Sequence, residues 1–366
     1  MNSMGFVQKC EAFFLRTSVL IRKTLVTYGE YRNIRSKKNL INSVRLSNEQ
    51  KREITAFFVS NYGKKVPYNW HQLYQSYTGE YHFDYFPEFL FSSKLEPLTN
   101  MYRTAELLGD KNLLSQLFDD SDLADLRLPM TYVSCVNGSL LNGEKQLITK
   151  HQAAQILRNR RFAIKKTVDT SSGRDICIVN NCSEDELKTI LDQFGNNFIA
   201  QEYIEQSAEL SALNKTSVNT FRVITYICNN TVFVCPVALR LGRENADRDN
   251  IHYGGISIGV NHDGTLKKYA FSEYGEKFTE HPDSKACFEG YCIPEAGAKI
   301  RNVAKALHGR VPWLGIVSWD LTIGKDGGII LVEMNTTGQS AWFCQMVNGE
   351  PLFGDNTAQM LKMIRK

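Results

Sequence analysis

Two acidic residues and one amide near the C-terminal end of the sequence have the types and spacing of a cation site. Asp320 and Glu333 each stand in a run of alternating apolar residues, and the two runs flank the glycine-rich stretch 324–328. This pattern predicts a β-hairpin with a short loop. With the turn centred on that stretch, Asp320 lies opposite Glu333, and Asn335 shares the face of Glu333 because side chains alternate along a strand.

Like charges directly opposite each other destabilise a sheet unless a cation compensates them. Hard oxygen ligands suit Mg²⁺, which usually takes one or two carboxylates and shares its other positions with phosphates and water. Taken alone, the pair is explained as simply by two solvated acids, so the rest of the chain decides. The opposite face of the hairpin is predicted to enter a core with Val317, Trp319, Leu321, Ile323, Ile330, Val332 and Met334.

A second stretch has the composition of an anion-binding loop. Residues 162–179 read as a strand, a loop of small polar residues at 169–174, and a second strand. Backbone N–H groups of such a loop can approach an anion closely. Lys165 lies on the entering strand, and a lysine inside an apolar strand needs a partner, which a nucleotide phosphate would supply. The loop is not a P-loop, and no dinucleotide fingerprint precedes a helix, so this signal alone is weak.

Bulk properties restrict the function classes. The 366 residues suffice for two or three domains, and a net charge of +4 does not suggest a nucleic-acid partner. Nine scattered cysteines without a CxxC pair fit free thiols in a reducing cytoplasm, and the seven histidines lack zinc-site spacing. No stretch reaches the roughly 18 apolar residues of a membrane span. We therefore expect a cytoplasmic globular protein.

Periodicity and capping residues predict the order of the elements. Residues 47–120 read as mainly helical, and 47–50 resemble a capped helix start. The predicted strands beyond them are 128–133, 162–165, 176–179, 198–204, 220–228 paired with 231–241, and the hairpin around 324–328. The predicted helices are 148–158, 183–194, 294–309 and 356–366.

The first 45 residues carry a marked excess of lysine and arginine. An apolar helix face there would consist of Phe13, Phe14, Leu20, Ile21 and Leu25. Two interpretations stay open. The segment is a helix packed on the body with a solvated basic side, or it is an amphipathic helix in weak peripheral contact with the inner face of the cytoplasmic membrane.

The order of the chemical features carries more information than any one of them. A lysine strand and glycine loop, a Gln-Glu-Tyr-Ile strand end, the Asn-Thr-Phe-Arg strand 219–222, an arginine-bearing strand, a Gly-Gly turn and Asp…Glu-x-Asn follow one another. The series resembles the ATP-grasp superfamily of carboxylate–amine ligases, and it is most similar to the branch associated with sugar transfer and surface-polysaccharide loci. The resemblance runs from about residue 109 to the C-terminus and includes 319–320, 333–335 and the tail 345–353.

The resemblance implies a role for each residue that matches a family motif. The nucleotide would be bound by Lys111, Lys165, Ser171, Ser172, Gly173, Gln201, Glu202, Tyr203 and Ile204, with 201–204 as the hinge at adenine. The ribose-binding acid would be Glu205 or Glu209. Two Mg²⁺ ions would be held by Asp320, Glu333 and Asn335, while Arg222 and Arg240 would face the transferred phosphoryl group or the substrate carboxylate. Where the family usually has Lys-Pro, this chain has Lys165-Lys166.

The implied fold is α+β: an ATP-grasp fold whose two α+β subdomains clasp ATP, preceded by a mainly helical N-terminal region. The expected divisions are residues 1–108 for the helical region, 109–160 for a linking segment, 161–205 for the lid subdomain and 206–366 for the C-terminal catalytic subdomain.

The implied function is an ATP- and Mg-dependent ligase that joins a small-molecule carboxylate to an amine through an acyl phosphate, on a sugar-linked precursor of a surface polysaccharide. Phosphoryl transfer needs mainly positioning and charge neutralisation, which Mg²⁺, arginine and lysine supply. Two alternatives share the fold: a phosphotransferase acting on a hydroxyl, and a non-catalytic nucleotide-binding partner of a glycan assembly complex.

Overall fold

The computed structural model describes residues 3–118, 123, 125–167, 176–244 and 249–365, and within the first helix it describes side chains at 13, 17, 18 and from 20 onward. The helices are α1 (Ser3–Ser36), α2 (Lys38–Ser43), α3 (Asn48–Tyr62), α4 (Asn69–Thr78), α5 (Glu88–Leu90), α6 (Glu96–Thr99), α7 (Tyr102–Leu108), α8 (Leu114–Phe118), α9 (Lys150–Leu157), α10 (Glu184–Phe194), α11 (Ala208–Leu213), α12 (Ala298–Arg310), α13 (Trp342–Asn348) and α14 (Thr357–Met363). A π-helical turn spans Phe91–Leu95, and 3₁₀ turns span Lys111–Leu113, Ile251–Tyr253, Pro294–Ala296 and Gly354–Asn356.

The strands are β1 (Leu126–Arg127), β2 (Thr131–Val136), β3 (Ser139–Asn142), β4 (Arg161–Lys166), β5 (Ile176–Asn180), β6 (Phe198–Glu202), β7 (Thr220–Cys228), β8 (Thr231–Val234), β9 (Val237–Leu241), β10 (Ile256–Val260), β11 (Leu266–Phe271), β12 (Lys277–Phe278), β13 (Ile316–Ile323) and β14 (Ile329–Asn335). Capping boxes begin α3 at Ser47, α9 at Thr149 and α10 at Ser183, which confirms the predicted starts of these helices.

A nine-stranded sheet forms the larger of the two layers. Its order is β1-β14-β13-β7-β9-β10-β11-β12, and β8 pairs with the far end of β7. The predicted strand 231–241 is divided into β8 and β9, which both pair with β7. The break falls at Pro236, which has no N–H to donate to a ladder. This sheet carries the predicted C-terminal hairpin in its interior.

The hairpin of β13 and β14 contains a β-bulge that sets which side chains face the small sheet. Asp320 pairs with Glu333 as predicted, and the next pair is Leu321 with Leu331, so Val332 is an extra residue in β14. Val332 and Glu333 therefore both line the cavity between the sheets. The prediction that Val332 faces the core is wrong, because a bulge reverses the alternation and an apolar pattern alone does not reveal it.

The smaller sheet has five antiparallel strands in the order β3-β2-β6-β4-β5. Helices α9 and α10 cover one face of it, where Phe162 and Ile164 join a separate apolar cluster. Ala163 and Lys165, on the other face of β4, line the cavity. Strands β2 and β3 belong to this sheet although they precede residue 160. The expected boundary between the linking segment and the lid subdomain therefore divides the sheet.

The helical N-terminal region is fastened to the strand ends beside the cavity. The amide of Asn100 donates to the carbonyls of Ile316 (2.7 Å) and Thr336 (2.8 Å). Gln345, on α13, accepts from the N–H of Phe86 (2.8 Å) and donates to its carbonyl (2.9 Å). All these groups are buried, so each bond satisfies a polar atom that would otherwise be costly to bury. The region thereby fixes the segment that follows β14.

Among the described residues of helix α1, the apolar packing on the body is in its C-terminal part. Ile34 is buried, and Tyr31 packs edge-on against Trp70. Phe13, Leu20, Ile21 and Leu25 are each more than half exposed, and the side chain of Phe14 lies outside the described residues. The interpretation that these apolar residues pack on the body is therefore wrong for the four that are described. Among the described helices, none is long and apolar enough to cross a membrane.

Candidate active site

A cavity of about 330 Å³ lies between the two sheets, and the predicted site residues converge on it. The large sheet contributes β7, β9, β13 and β14, and the small sheet contributes β4, β5 and β6. The predicted residues that line it are Lys111, Lys165, Gln201, Glu202, Tyr203, Ile204, Arg222, Arg240, Asp320, Glu333 and Asn335. Residues from seven separate places in the sequence therefore share one cavity.

Asp320 stands at the centre of a buried cluster with both predicted arginines. Arg222, its neighbour across β7 and β13, donates from Nε to Oδ1 (2.6 Å) and from Nη2 to Oδ2 (3.2 Å). Arg240 donates from Nη2 to Oδ2 (3.0 Å). Burial alone would raise the pKa of Asp320, but the two guanidinium charges outweigh it and hold that pKa below its usual value. Asp320 is therefore an anion at neutral pH.

Glu333 and Asn335 complete the predicted cation face. Lys111 forms an ion pair with Glu333 (Nζ to Oε1, 3.0 Å). The amide nitrogen of Asn335 is 3.4 Å from Oδ2 of Asp320. The amide oxygen of Asn335 accepts no hydrogen bond in the described part of the chain. Two carboxylates and an amide oxygen are a suitable ligand set for Mg²⁺.

The protein's own cations compensate the two carboxylates at this face. Within the described residues no three His, Cys, Asp or Glu side chains converge on one point. A metal ion here would therefore depend on Asp320, Glu333, Asn335 and oxygen atoms from a bound phosphate or water. The donor set fits Mg²⁺ when phosphate or water supplies the remaining oxygen ligands.

Lys165 lies on β4 facing the bulge of β14. It is 8 % exposed, and its Nζ donates to the carbonyl of Val332 (3.2 Å). Burial, together with the charge of Lys111, lowers the pKa of Lys165 to about 8, against the opposing pull of Glu333 and Asp320. An anionic phosphate beside Lys165 would favour its charged form.

The hinge residues sit at the end of β6, where the small sheet meets the strand pair β1–β14. The N–H of Glu202 donates to the carbonyl of Met130 (2.9 Å), and its carboxylate forms an ion pair with Arg127. The guanidinium of Arg161 stacks over the ring of Tyr203, 3.6 Å from its centroid. Gln201 and Ile204 complete this part of the cavity wall. These contacts hold Glu202 and Tyr203 in place.

Two predicted acids among the described residues are not brought to the cavity. Glu205 forms an ion pair with Lys325 of the hairpin loop, and Glu209 lies on α11, where its carbonyl accepts from the hydroxyl of Tyr291 (2.7 Å). Neither carboxylate lines the cavity. Ser171, Ser172 and Gly173 lie outside the described residues.

Sequence reasoning did not single out one acid and one loop segment at the site. Asp249 is 8 % exposed and accepts from the N–H of Thr220 (3.0 Å), and it lies 3.5 Å from Nε of Arg240. Burial raises the pKa of Asp249, and Arg240 opposes that rise. The stretch 338–340 also lines the cavity. Asp249 stands outside any regular strand, so no periodicity could have singled it out, whereas 338–340 follow Asn335 closely enough to have been considered.

The sequence matches the family model described as sugar-transfer associated ATP-grasp over residues 90–360. The chain belongs to this family. The α+β fold with two sheets that face each other across a cavity is the ATP-grasp fold that the sequence predicted. No curated protein matches the sequence.

Several solved structures are similar at low identity. One is the N5-carboxyaminoimidazole synthase of Aspergillus clavatus in complex with ADP and its ribonucleotide, at 10 % identity and a TM-score of 0.39, over 66 % of this chain and 48 % of that chain. Another is a biotin carboxylase of Campylobacter jejuni, at 14 % identity and a TM-score of 0.40, over 70 % of this chain and 46 % of that chain. A D-Ala:D-Ser ligase of Enterococcus faecalis matches at 17 % identity and a TM-score of 0.40, over 71 % of this chain and 62 % of that chain. The chain thus spans about half to three fifths of the length of these proteins.

Proposed function

We propose that the protein is an ATP- and Mg-dependent ligase that forms an amide from a carboxylate and an amine through an acyl phosphate, with release of ADP and phosphate. One observation carries the proposal: Asp320 and Glu333, paired across adjacent strands, share one cavity with Lys165, Arg222 and Arg240. The carboxylates suit a metal, and the cations suit phosphates. The same set would serve phosphoryl transfer to a carboxylate.

ATP would lie along the cavity from the hinge to the hairpin. The hinge 201–204 offers backbone groups at one end, and Lys165 and Lys111 offer ammonium groups beside the hairpin. Lys111 is 7 % exposed and tied to Glu333, so its charge is already positioned and needs little reorganisation. When bound, Mg²⁺ supplies charge neutralisation at the phosphates and helps to align them.

The proposed reaction consists of a phosphoryl transfer followed by an acyl transfer, and atoms and charge balance in both. A carboxylate oxygen of the substrate forms a bond to the γ-phosphorus while the bond between that phosphorus and ADP breaks. The amine, having lost a proton, then forms a C–N bond to the acyl carbon, and the C–O bond to phosphate breaks. The overall products are the amide, ADP, hydrogen phosphate and one proton.

Arg222 and Arg240 are the residues best placed to stabilise the anionic states of these steps. Asp320 forms ion pairs with both guanidinium groups. A second acid, Asp249, lies 3.5 Å from Nε of Arg240. This arrangement fixes their direction without exposing them to solvent. A fixed donor at an oxyanion is worth roughly 3–4 kcal/mol in the transition state.

The acid and the amine are small molecules, one of them sugar-linked, and the product belongs to a surface-polysaccharide precursor. The family description, which names sugar transfer, supports this assignment. The test is a phosphate-release screen of sugar acids against amino acids with Mg-ATP. We expect release that requires both an acid and an amine. Phosphate retained on a hydroxyl of one substrate would instead identify a phosphotransferase.

A further inference from the structure

A second cavity, of about 1230 Å³, lies next to the first. Helix α1, the segment 92–106 and residues 337–339 surround it. Gly338 and Gln339 line both cavities, so only this short segment after the predicted metal ligand Asn335 separates them. The proposed reaction needs a place for a second substrate beside the first cavity, which holds the groups suited to ATP.

The acids Glu96 and Glu30 line the second cavity, and a third acid, Glu88, is buried nearby without lining it. Glu96 is 6 % exposed, and its Oε1 accepts from the N–H of Gln339 (3.2 Å). Glu88 is 3 % exposed, and its Oε1 accepts from the N–H of Ala341 (3.0 Å). Glu30 reaches the cavity from α1. Glu96 therefore bonds directly to the segment that separates the cavities, whereas Glu88 bonds to the chain just after it.

These acids accept hydrogen bonds but have no direct counter-charge in the described part of the chain. None of the three forms an ion pair within the described residues. The second oxygen of Glu88 and the hydroxyl of Ser92 are buried without a hydrogen bond in the described part of the chain, and Ser92, 8 % exposed, lines the cavity. Unsatisfied buried groups of this kind are rare in proteins and indicate a missing partner.

Burial affects the ionisation of all three acids in the same direction. It raises the pKa of Glu30, raises that of Glu88 far more with the help of the Glu30 charge, and raises that of Glu96 to about 7. Holding such groups without a counter-charge costs stability, and a bound cation would remove that cost.

Three exposed basic residues and one exposed acid, Glu106, line the rim of the same cavity. Arg22, Lys23 and Arg103 line it, and the guanidinium of Arg22 stacks over the ring of Tyr102, 4.1 Å from its centroid. A molecule that spans the cavity would meet acids beside the first cavity and bases at the outer end. That polarity suits a positive group at one end and a negative group at the other.

We propose that the second cavity binds the amine substrate as a primary ammonium group, held by Glu96, Glu30 and Ser92, on a molecule that also carries a phosphate or carboxylate facing the basic rim. The assignment of this molecule as the amine substrate rests on the proposed function, whereas its binding does not.

The test is calorimetry on the full-length protein at pH 7. Glucosamine 6-phosphate is the probe, glucose 6-phosphate is the matched control without the amine, and glucosamine is the control without the phosphate. Saturating Mg-ATP is present throughout, so that the nucleotide cavity is filled. We expect the probe to bind at least tenfold more tightly than either control. Equal affinity for probe and glucose 6-phosphate, or no detectable binding of the probe, overturns the proposal.

Variants locate the binding. Glu96→Gln should reduce the preference for the amine below threefold, whereas Glu106→Gln, which changes an exposed acid at the same rim, should leave it intact. Glu30→Gln is the second variant if the first does not fold, and an unchanged preference in both overturns the proposal. Failure of Mg-ATP itself to bind would refute the proposed function instead, and the probe titrated without nucleotide still decides the amine site.

Discussion

At the scale of single residues, the site is a set of carboxylates already neutralised by the cations that the reaction would use. Asp320 has two arginines and Glu333 has Lys111. A metal that takes over the carboxylates would leave these cations available to phosphates. The two acids differ in burial, since the side chain of Asp320 is 5 % exposed and that of Glu333 is 31 % exposed. Their substitutions should therefore have different consequences.

Glu333→Gln should abolish Mg-ATP turnover, by a factor on the order of 10² or more, because the metal loses an anionic oxygen. Its melting temperature should stay near that of the wild type. Asp320→Asn should lose turnover as well, but it also leaves Arg222 and Arg240 without a buried counter-ion and should cost roughly 3–5 kcal/mol of stability. Asp326→Asn in the hairpin loop is the control. Turnover comparable to wild type in Glu333→Gln would contradict the metal assignment.

Lys165→Ala should weaken ATP binding more than Lys166→Ala. Lys165 shares the cavity face of β4 with Ala163 and contacts β14. Lys166 also borders the cavity, but it follows Lys165 on the strand, where the side chain alternates to the other face, and it is only partly buried. Calorimetric titration with ATP compares the two variants. The reverse ranking would mean that Lys166 is the phosphate ligand.

At the scale of elements, the sequence predicted the strands that carry the site, because their apolar alternation is strong and their ends hold polar residues. The pairing of Asp320 with Glu333 followed from the loop 324–328 alone. The bulge at Val332 could not be predicted, since it depends on how β14 fits the strands beside it. Strands β10 to β12 and helix α13 also escaped prediction, and the contact between Asn100 and β13 is a tertiary contact with no local signal.

The docking of the N-terminal region onto the segment after β14 predicts a pH-dependent stability. The pKa of Glu96 is raised to about 7, so the group's contribution to stability is complete below about 4.5 and is lost as the pH rises through about 7. Glu96→Gln should therefore have a free energy of unfolding higher than the wild type by roughly 3 kcal/mol at pH 8, with little difference near pH 4.5.

Urea denaturation at the two pH values measures this difference. Glu106→Gln, at an exposed acid of the same cavity, should match the wild type at both. A Glu96→Gln protein that is less stable than the wild type at pH 8 would show that the carboxylate is stabilising, against the expected direction.

At the scale of the whole molecule, a long basic helix extends its apolar residues into solvent at the end far from its packed part. Phe13, Leu20, Ile21 and Leu25 lie within one side of a helical wheel, and α1 has no acidic residue in its first turn. Such a face suits the boundary of an anionic bilayer, where each basic residue contributes about 1 kcal/mol.

We expect the full-length protein to co-sediment with anionic vesicles at low salt and to dissociate as salt screens the attraction. A protein lacking residues 1–20 should keep its melting temperature, because Tyr31 and Ile34 retain their contacts, but should no longer bind the vesicles. Full-length protein that ignores anionic vesicles at low salt would contradict the membrane contact.

The central claim is that the cavity between the sheets activates a carboxylate as an acyl phosphate. Hydroxylamine tests it most directly, because this small nucleophile traps an acyl phosphate without needing the amine site. We predict that one class of acid, offered with Mg-ATP and hydroxylamine, yields a hydroxamate together with equal amounts of ADP and phosphate, and that Glu333→Gln yields none. ADP formed with phosphate esterified to a substrate hydroxyl, and no hydroxamate from any acid, would contradict the claim.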